Sequence, residues 1–296
     1  MNMNLRDAVE EFLNGIAGEV SESTRDWYRR CLSSFLTFLG PETDLAAVSV
    51  RDIRAWRAHL LDRDMSIYSV HGRQRAARRL FSWLLEDGRV TRNVALEVPL
   101  VRLPPQPPKA LTDDDMYRLL ERLPAESVRD RAIILFLIDT GCRVGGLCSL
   151  TVSALDLPNH RATVIEKGSR GRFVYFTDMT TEMLMLWRDV RPMVDTDALF
   201  VTAAGKPVQP NSIRMLLQRV GKRAGVTGRI NAHSFRHAFA RNFLRNGGNL
   251  AVLGRLLGHS PGSPVTARFY AVFDDRELQG FHDQYSPLAH ISARDK

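Results

Sequence analysis

From Gly205 to Phe273 the chain carries eleven Lys and Arg residues and not one Asp or Glu. Sixty-nine residues without a carboxylate, in a chain that elsewhere mixes both signs, leave no acidic cage there and describe a surface made for a polyanion. Cysteine is scarce as well. Cys31, Cys142 and Cys148 form no CxxC pair, so neither a disulfide framework nor a zinc ligand set is present. Long apolar runs are missing too. The densest, Ile133 to Ile138, falls far short of the ~20 residues that cross a bilayer. The opening MNMNLRDAVEEF has neither the basic start nor the apolar stretch of a secretory signal. No repeat of fixed period is visible. These absences predict a protein of the reducing cytoplasm, associated with the nucleoid rather than with a membrane.

What is present is a globular chain of two-domain size, 296 residues with 44% hydrophobic and 25% charged. The net charge of +8 is unevenly spread, for residues 1–100 hold 14 basic and 14 acidic side chains. Their apolar residues keep helical spacing: Leu5, Val9, Phe12 and Leu13, then Tyr28, Leu32, Phe35 and Leu36 up to a stop at Gly40. Ser49 and Asp52 form a capping-box pattern ahead of Ile53, Trp56 and Leu60. A further helix over about 66–86 carries Arg73, Arg75, Arg78 and Arg79. The last three share one face and are expected to touch phosphate.

Five prolines fall between Pro99 and Pro108. Such a run favours an extended polyproline path of roughly 30 Å over ten residues. A linker is therefore expected at 99–110, between a helical domain at 1–98 and a second at 111–280. The second opens at Thr112, an N-cap before three aspartates. A buried helix then ends at Gly141. Arg161–Glu166 and Arg172–Phe176 read as a β-hairpin around Lys167 and Arg170, with helices near 180–190, 211–224, 233–246 and 249–257.

The chemistry concentrates in a few places. Arg143 lies just past the buried helix, where its backbone is fixed and its guanidinium can grip a phosphate bidentately. Lys167 begins the hairpin turn, followed by Arg170 and Arg172. His233, Arg236 and His237 share five residues of one helix; a zinc reading of H-x-x-x-H fails because Ser234 stands where HExxH needs a glutamate. His259 follows Leu-Leu-Gly, and Tyr270 comes eleven residues later. Cationic donors with one phenol suit attack of a tyrosine oxygen on a phosphodiester, where the protein must stabilise charge on phosphate oxygens.

In order and context these residues resemble the tyrosine recombinases, the phage integrase and Xer-type family, over nearly the whole chain. Arg143 matches the arginine of TGxRxxE, Lys167 the strand-turn lysine, His233-Ser-Phe-Arg236-His237 the HxxRH string, and His259 the LGH turn. Two departures stand out. Gly146 occupies the position of the family's glutamate, which usually supports the first arginine. The interval from His259 to Tyr270 is also longer than usual.

The resemblance implies a mainly α, two-domain DNA clamp: a SAM-like helical core-binding domain, then a helical catalytic domain with a small antiparallel sheet. It implies Arg143, Lys167, His233, Arg236, His259 and Tyr270 as catalytic residues, double-stranded DNA as partner, and a tetramer on two paired sites. Neither metal nor cofactor is implied. His237 is expected to support its helix. The tail at 281–296, with Phe281, Tyr285, Leu288 and Ile291 spaced by three to four, is expected to dock on a neighbouring subunit. Two rivals remain open, a type IB topoisomerase-like nicking-closing enzyme and a non-catalytic basic DNA-binding protein.

Overall fold

The computed structural model describes residues 3–104, 111–123, 127–166, 171–226, 230–259, 279–280, 282 and 284. By internal packing the chain divides into two compact units, Met1–Pro105 and Gln106–Lys296. The expectations for Lys167, Arg170, Tyr270, the end of the proline-rich linker and the tail residues Phe281, Tyr285, Leu288 and Ile291 fall outside the described residues.

Among the described residues, four α-helices build the first unit: α1 (Leu5–Gly15), α2 (Glu22–Leu39), α3 (Val50–Asp62) and α4 (Ile67–Glu86). Each begins where its capping side chain stands, at Asn4, Ser21, Ser49 and Ser66, all accepting from a first-turn backbone N–H. Ser49 and Asp52 close the full capping box. The apolar stripes converge on Phe12, Phe35, Trp56 and Phe81, all buried. Phe35 meets Trp56 edge to face at 4.8 Å between centroids, the arrangement that ring quadrupoles favour.

Beyond α4 the chain stays on this unit. Arg78 donates to the carbonyls of Ala95 at 3.2 Å and Val98 at 2.6 Å. Gln74 donates to the Pro99 carbonyl at 3.3 Å and accepts from the Val101 N–H at 2.9 Å. The Tyr68 hydroxyl reaches the Pro104 carbonyl at 3.3 Å. Proline-rich chain cannot pair its carbonyls in a regular ladder, so long side chains of α4 supply the donors.

The second unit is mainly helical with one small antiparallel sheet, as the resemblance implies. Among the described residues its α-helices are α5 (Asp113–Glu121), α6 (Val128–Thr140), α7 (Val144–Cys148), α8 (Asp178–Val190), α9 (Pro210–Arg223), α10 (Ala232–Arg245) and α11 (Leu250–Leu256). Thr112 and Asp115 form a capping box at α5. The strands β1 (Leu155–Asp156), β2 (Arg161–Ile165) and β3 (Gly171–Tyr175) lie in that order. Arg161 faces Tyr175 and Ile165 faces Gly171 across the hairpin. Ala162, Val164 and Val174 turn into the core, which gathers around Ile133–Leu137 of α6. α6 is apolar nearly all round because it is packed on most sides. Among the described residues no helix is long and apolar enough to cross a membrane.

Candidate active site

The site is assembled where α6, α10 and α11 end or meet. α6 stops at Gly141, whose φ of 55° lies in the left-handed region. A Cβ there would come within 2.8 Å of the Phe239 ring on α10. Only glycine both makes the turn and lets α10 pack this closely. Two residues later Arg143 becomes the N-cap of α7.

α10 starts at Asn231, whose side chain accepts from the Ser234 N–H at 3.0 Å. Its inward face carries Phe235, Arg236, His237 and Ala240. Arg236 is 2% exposed, and a buried guanidinium is costly unless its N–H groups find acceptors. It donates from Nη1 to the Gly141 carbonyl at 3.0 Å, and from Nη2 to the Leu257 carbonyl and to His259 Nε2, the last at 3.0 Å. One side chain thus joins the end of α6, the end of α11 and the LGH turn.

The C-terminus of α11 is held by arginines from two directions. The Leu256 carbonyl accepts from Arg172 of β3 at 2.7 Å, while Leu257 accepts from Arg236. These are carbonyls that a helix end leaves without intrahelical donors, and cations there also suit its dipole. Gly258 is required twice over: its φ is 66°, and a Cβ would sit 2.7 Å from Arg172 Nε.

Glu166, the residue after β2, lies beneath Arg143. Its carboxylate accepts from the Arg143 guanidinium, from the Arg143 backbone N–H at 3.3 Å and from Arg172 Nη2 at 3.0 Å. Burial pushes this carboxyl upward, but the Arg172 hydrogen bond and the charges of Arg172 and Arg143 outweigh it and hold the group below its usual 4.5. It is anionic at neutral pH.

The imidazoles are driven toward the neutral form. Burial, then the charges of Arg236 and Arg143, lower His259 to about 4. Burial, then His233 and Arg236, do the same for His237, also to about 4. His233 is lowered by burial and by the same two arginines, and its ring stands edge-on to His237 at 4.2 Å. All three are neutral at pH 7. An arginine only donates, so His259 Nε2 is the acceptor and its ring proton sits on Nδ1.

A pH dependence follows. The unfolded histidines titrate near 6.5, whereas folded His237 and His259 resist protonation until about 4. Between those values the unfolded chain binds more protons, so folding stability falls as pH drops through 6.5 and levels off near 4. Glu166, with its lowered value, adds a separate loss only below its usual 4.5. Thermal melting from pH 7 to 4.5 should show a falling midpoint, and His237→Gln should flatten part of that slope. A midpoint unchanged over that range would contradict it.

Two cationic side chains and three neutral imidazoles, reached through three separate segments, make a surface that can hold an anion with growing negative charge on its oxygens. Residues 109–276 match the model of the phage integrase family, and residues 9–88 match its N-terminal SAM-like domain. This chain belongs to the phage integrase family of tyrosine recombinases. Tyrosine recombinase XerC of Ralstonia pickettii is 32% identical, over 83% of this chain and 81% of that protein. The crystal structure of XerA recombinase is 27% identical with a TM-score of 0.55, covering 96% of this chain and 98% of that one. A lambda integrase tetramer bound to a Holliday junction shares the fold at 17% identity and a TM-score of 0.74, over 93% and 81% of the two chains.

For this integrase-family chain, Arg143, His233, Arg236 and His259 lie in one neighbourhood. Arg172, read from the sequence as a DNA contact, is 15% exposed at its side chain and bound to Leu256 and Glu166. In the first unit Arg78 is likewise spent on backbone carbonyls, Arg73 donates to Ser69 O, and Arg79 pairs with Glu86. Arg75 is exposed. Glu166 was read from the sequence only as the end of a strand, with no part in the site.

Proposed function

We propose that this protein is a site-specific DNA recombinase that cuts and rejoins double-stranded DNA through a 3′-phosphotyrosyl link to Tyr270. The observation carrying this reading is the buried Arg236, which fastens the histidine turn to the segment bearing Arg143. Arg143 and Arg236 clamp the nonbridging oxygens of the scissile phosphate, and the Nδ1 proton of His259 adds a third donor. The Tyr270 oxygen attacks phosphorus while the bond to the 5′-oxygen breaks. The phenolic proton passes to a neutral imidazole, with His233 suited by its lowered pKa, and Lys167 protonates the departing 5′-oxygen. Attack by the 5′-hydroxyl of a partner strand reverses the step. The phosphodiester energy is conserved, so neither metal nor nucleotide is called for. Four subunits on two paired sites in the cytoplasm fit this chemistry, and the tetramer of the lambda integrase on its junction supports that assembly.

The test offers the protein two copies of its site on separate duplexes. Recombination predicts a covalent adduct and a four-way junction containing strands from both duplexes. Adduct with relaxation of a single supercoiled circle, and no junction, would assign the nicking-closing reaction instead. Absence of adduct would leave only DNA binding.

The role of Lys167 has its own test. On an ordinary duplex Lys167→Ala should slow cleavage about 10²-fold, the scale of a lost general acid. On a duplex whose bridging 5′-oxygen is sulfur the same variant should come within about tenfold of wild type, since a thiolate leaves without a proton. Equal defects on both duplexes would move Lys167 to a positioning role.

A further inference from the structure

The carboxylate that supports Arg143 comes from an unexpected direction. The resemblance placed a glutamate on α7, three residues after Arg143, where this chain has Gly146. The space is not empty. A Cβ on Gly146 would meet the Val164 Cβ at 3.4 Å and the Glu166 Cγ and Oε1 at 3.5 Å. Glu166 therefore lies across the bare face of α7, and its carboxylate reaches both the backbone and the guanidinium of Arg143. Its side chain is 8% exposed where that of Arg143 is 42% exposed. The anchor is buried and the anchored cation faces out.

We propose that Glu166 is a positioning residue for DNA cleavage, supplying from the end of β2 the carboxylate that α7 lacks at Gly146. This rests on the reading of Arg143 as a phosphate clamp. Three features of the geometry support it. The carboxylate spans backbone N–H and side chain of the same arginine, which fixes both the start of the arm and its end. A guanidinium has five N–H donors in a rigid fork, so bonding to Glu166 leaves others to face a phosphate. Arg172 donates to the same carboxylate, at Oε1, while bonding the Leu256 carbonyl. Arg143 is thereby tied through Glu166 to the same helix end that Arg236 grips. A Cβ at 146 would only touch its neighbours, but a side chain reaching beyond it would contest the volume of the glutamate. Glu166 also directly precedes Lys167, so the contact ties the entrance of the hairpin turn to the clamp.

The experiment measures single-turnover adduct formation on a nicked suicide duplex, with the full-length protein, alongside duplex affinity and thermal melting. Glu166→Gln keeps size and loses charge. It should cleave about tenfold more slowly, the scale expected when a reacting group is loosened rather than removed, with affinity within a few-fold of wild type. In an Arg143→Ala background it should cost nothing further, because the residue it positions is gone. That non-additivity separates positioning from a general loss of stability. Glu166→Gly should be slower still, and the exchange Gly146→Glu/Glu166→Gly should recover most of the rate by returning the carboxylate to α7. Wild-type cleavage by Glu166→Gln, the same loss with and without Arg143, or a stably folded exchange variant no faster than Glu166→Gly would each overturn the assignment. If the unmodified protein forms no adduct, the recombinase reading fails and the positioning role falls with it. A normal wild-type adduct with an indifferent Glu166 removes the positioning role alone.

Discussion

Tyr270→Phe is expected to form no covalent protein–DNA adduct while binding its duplex within a few-fold of wild type. The substitution removes one hydroxyl oxygen and leaves every cation of the clamp in place. Affinity for DNA comes mainly from phosphate contacts shared among many basic side chains, so losing one phenol scarcely alters it. Covalent chemistry, by contrast, depends on that one phenol in the proposed mechanism. Water lacks the orientation that makes an enclosed attack effective, a contribution of about 7–11 kcal/mol in well-aligned cases. Trapping on a nicked suicide duplex, followed by peptide mapping of the adduct, gives the answer. An adduct surviving in the variant, or mapping to Tyr285 in wild type, would place the nucleophile elsewhere.

Arg236 carries the second large effect, because its loss acts on rate and on stability together. Arg236→Ala removes the donor to the Gly141 and Leu257 carbonyls and to His259. Each buried acceptor left without a partner costs about 1–3 kcal/mol, enough to lower the melting temperature visibly in a domain this size. Cleavage should fall ~10²-fold or more, as for the loss of one preorganised oxyanion donor. Arg236→Lys separates the two consequences. It keeps the charge, but one ammonium cannot match a planar fork aimed at three acceptors, so cleavage should stay down ~10²-fold while DNA affinity holds. Cleavage by Arg236→Lys within a few-fold of wild type would make the residue a simple counter-charge.

Much of the architecture was legible because it is local. The capping boxes at Ser49 and Thr112 are set by residues three apart, and the stops at Gly40 and Gly141 depend on a single φ. β1 escaped because two residues, Leu155 and Asp156, carry no periodicity. Within the site, the sequence located Arg143, His233, Arg236 and His259 through their motifs, yet it could not tell where an arginine points. Arg172 and Arg78 sit in basic strings that look like DNA-facing surface, while both turn their guanidinium groups onto backbone carbonyls. Charge can be counted along a chain; direction depends on which carbonyls the fold leaves unpaired. Glu166 was invisible for a related reason. Its partner Arg143 stands 23 residues earlier, and only the packing of β2 against α7 brings the two together.

The double grip on the end of α11 bears on how this protein can change. Arg172 and Arg236 bolt the last carbonyls of that helix to β3 and to the α6 turn, and His259 is fixed on the same abutment. Among the described residues, Arg236 reaches the histidine from α10. The grips on Leu256 and Leu257 come from β3 and α10, elements that precede the longer interval between His259 and Tyr270. On the proposed mechanism, a joint built from upstream elements leaves the reach of the tyrosine open to change while the arginine grip on the helix end is kept.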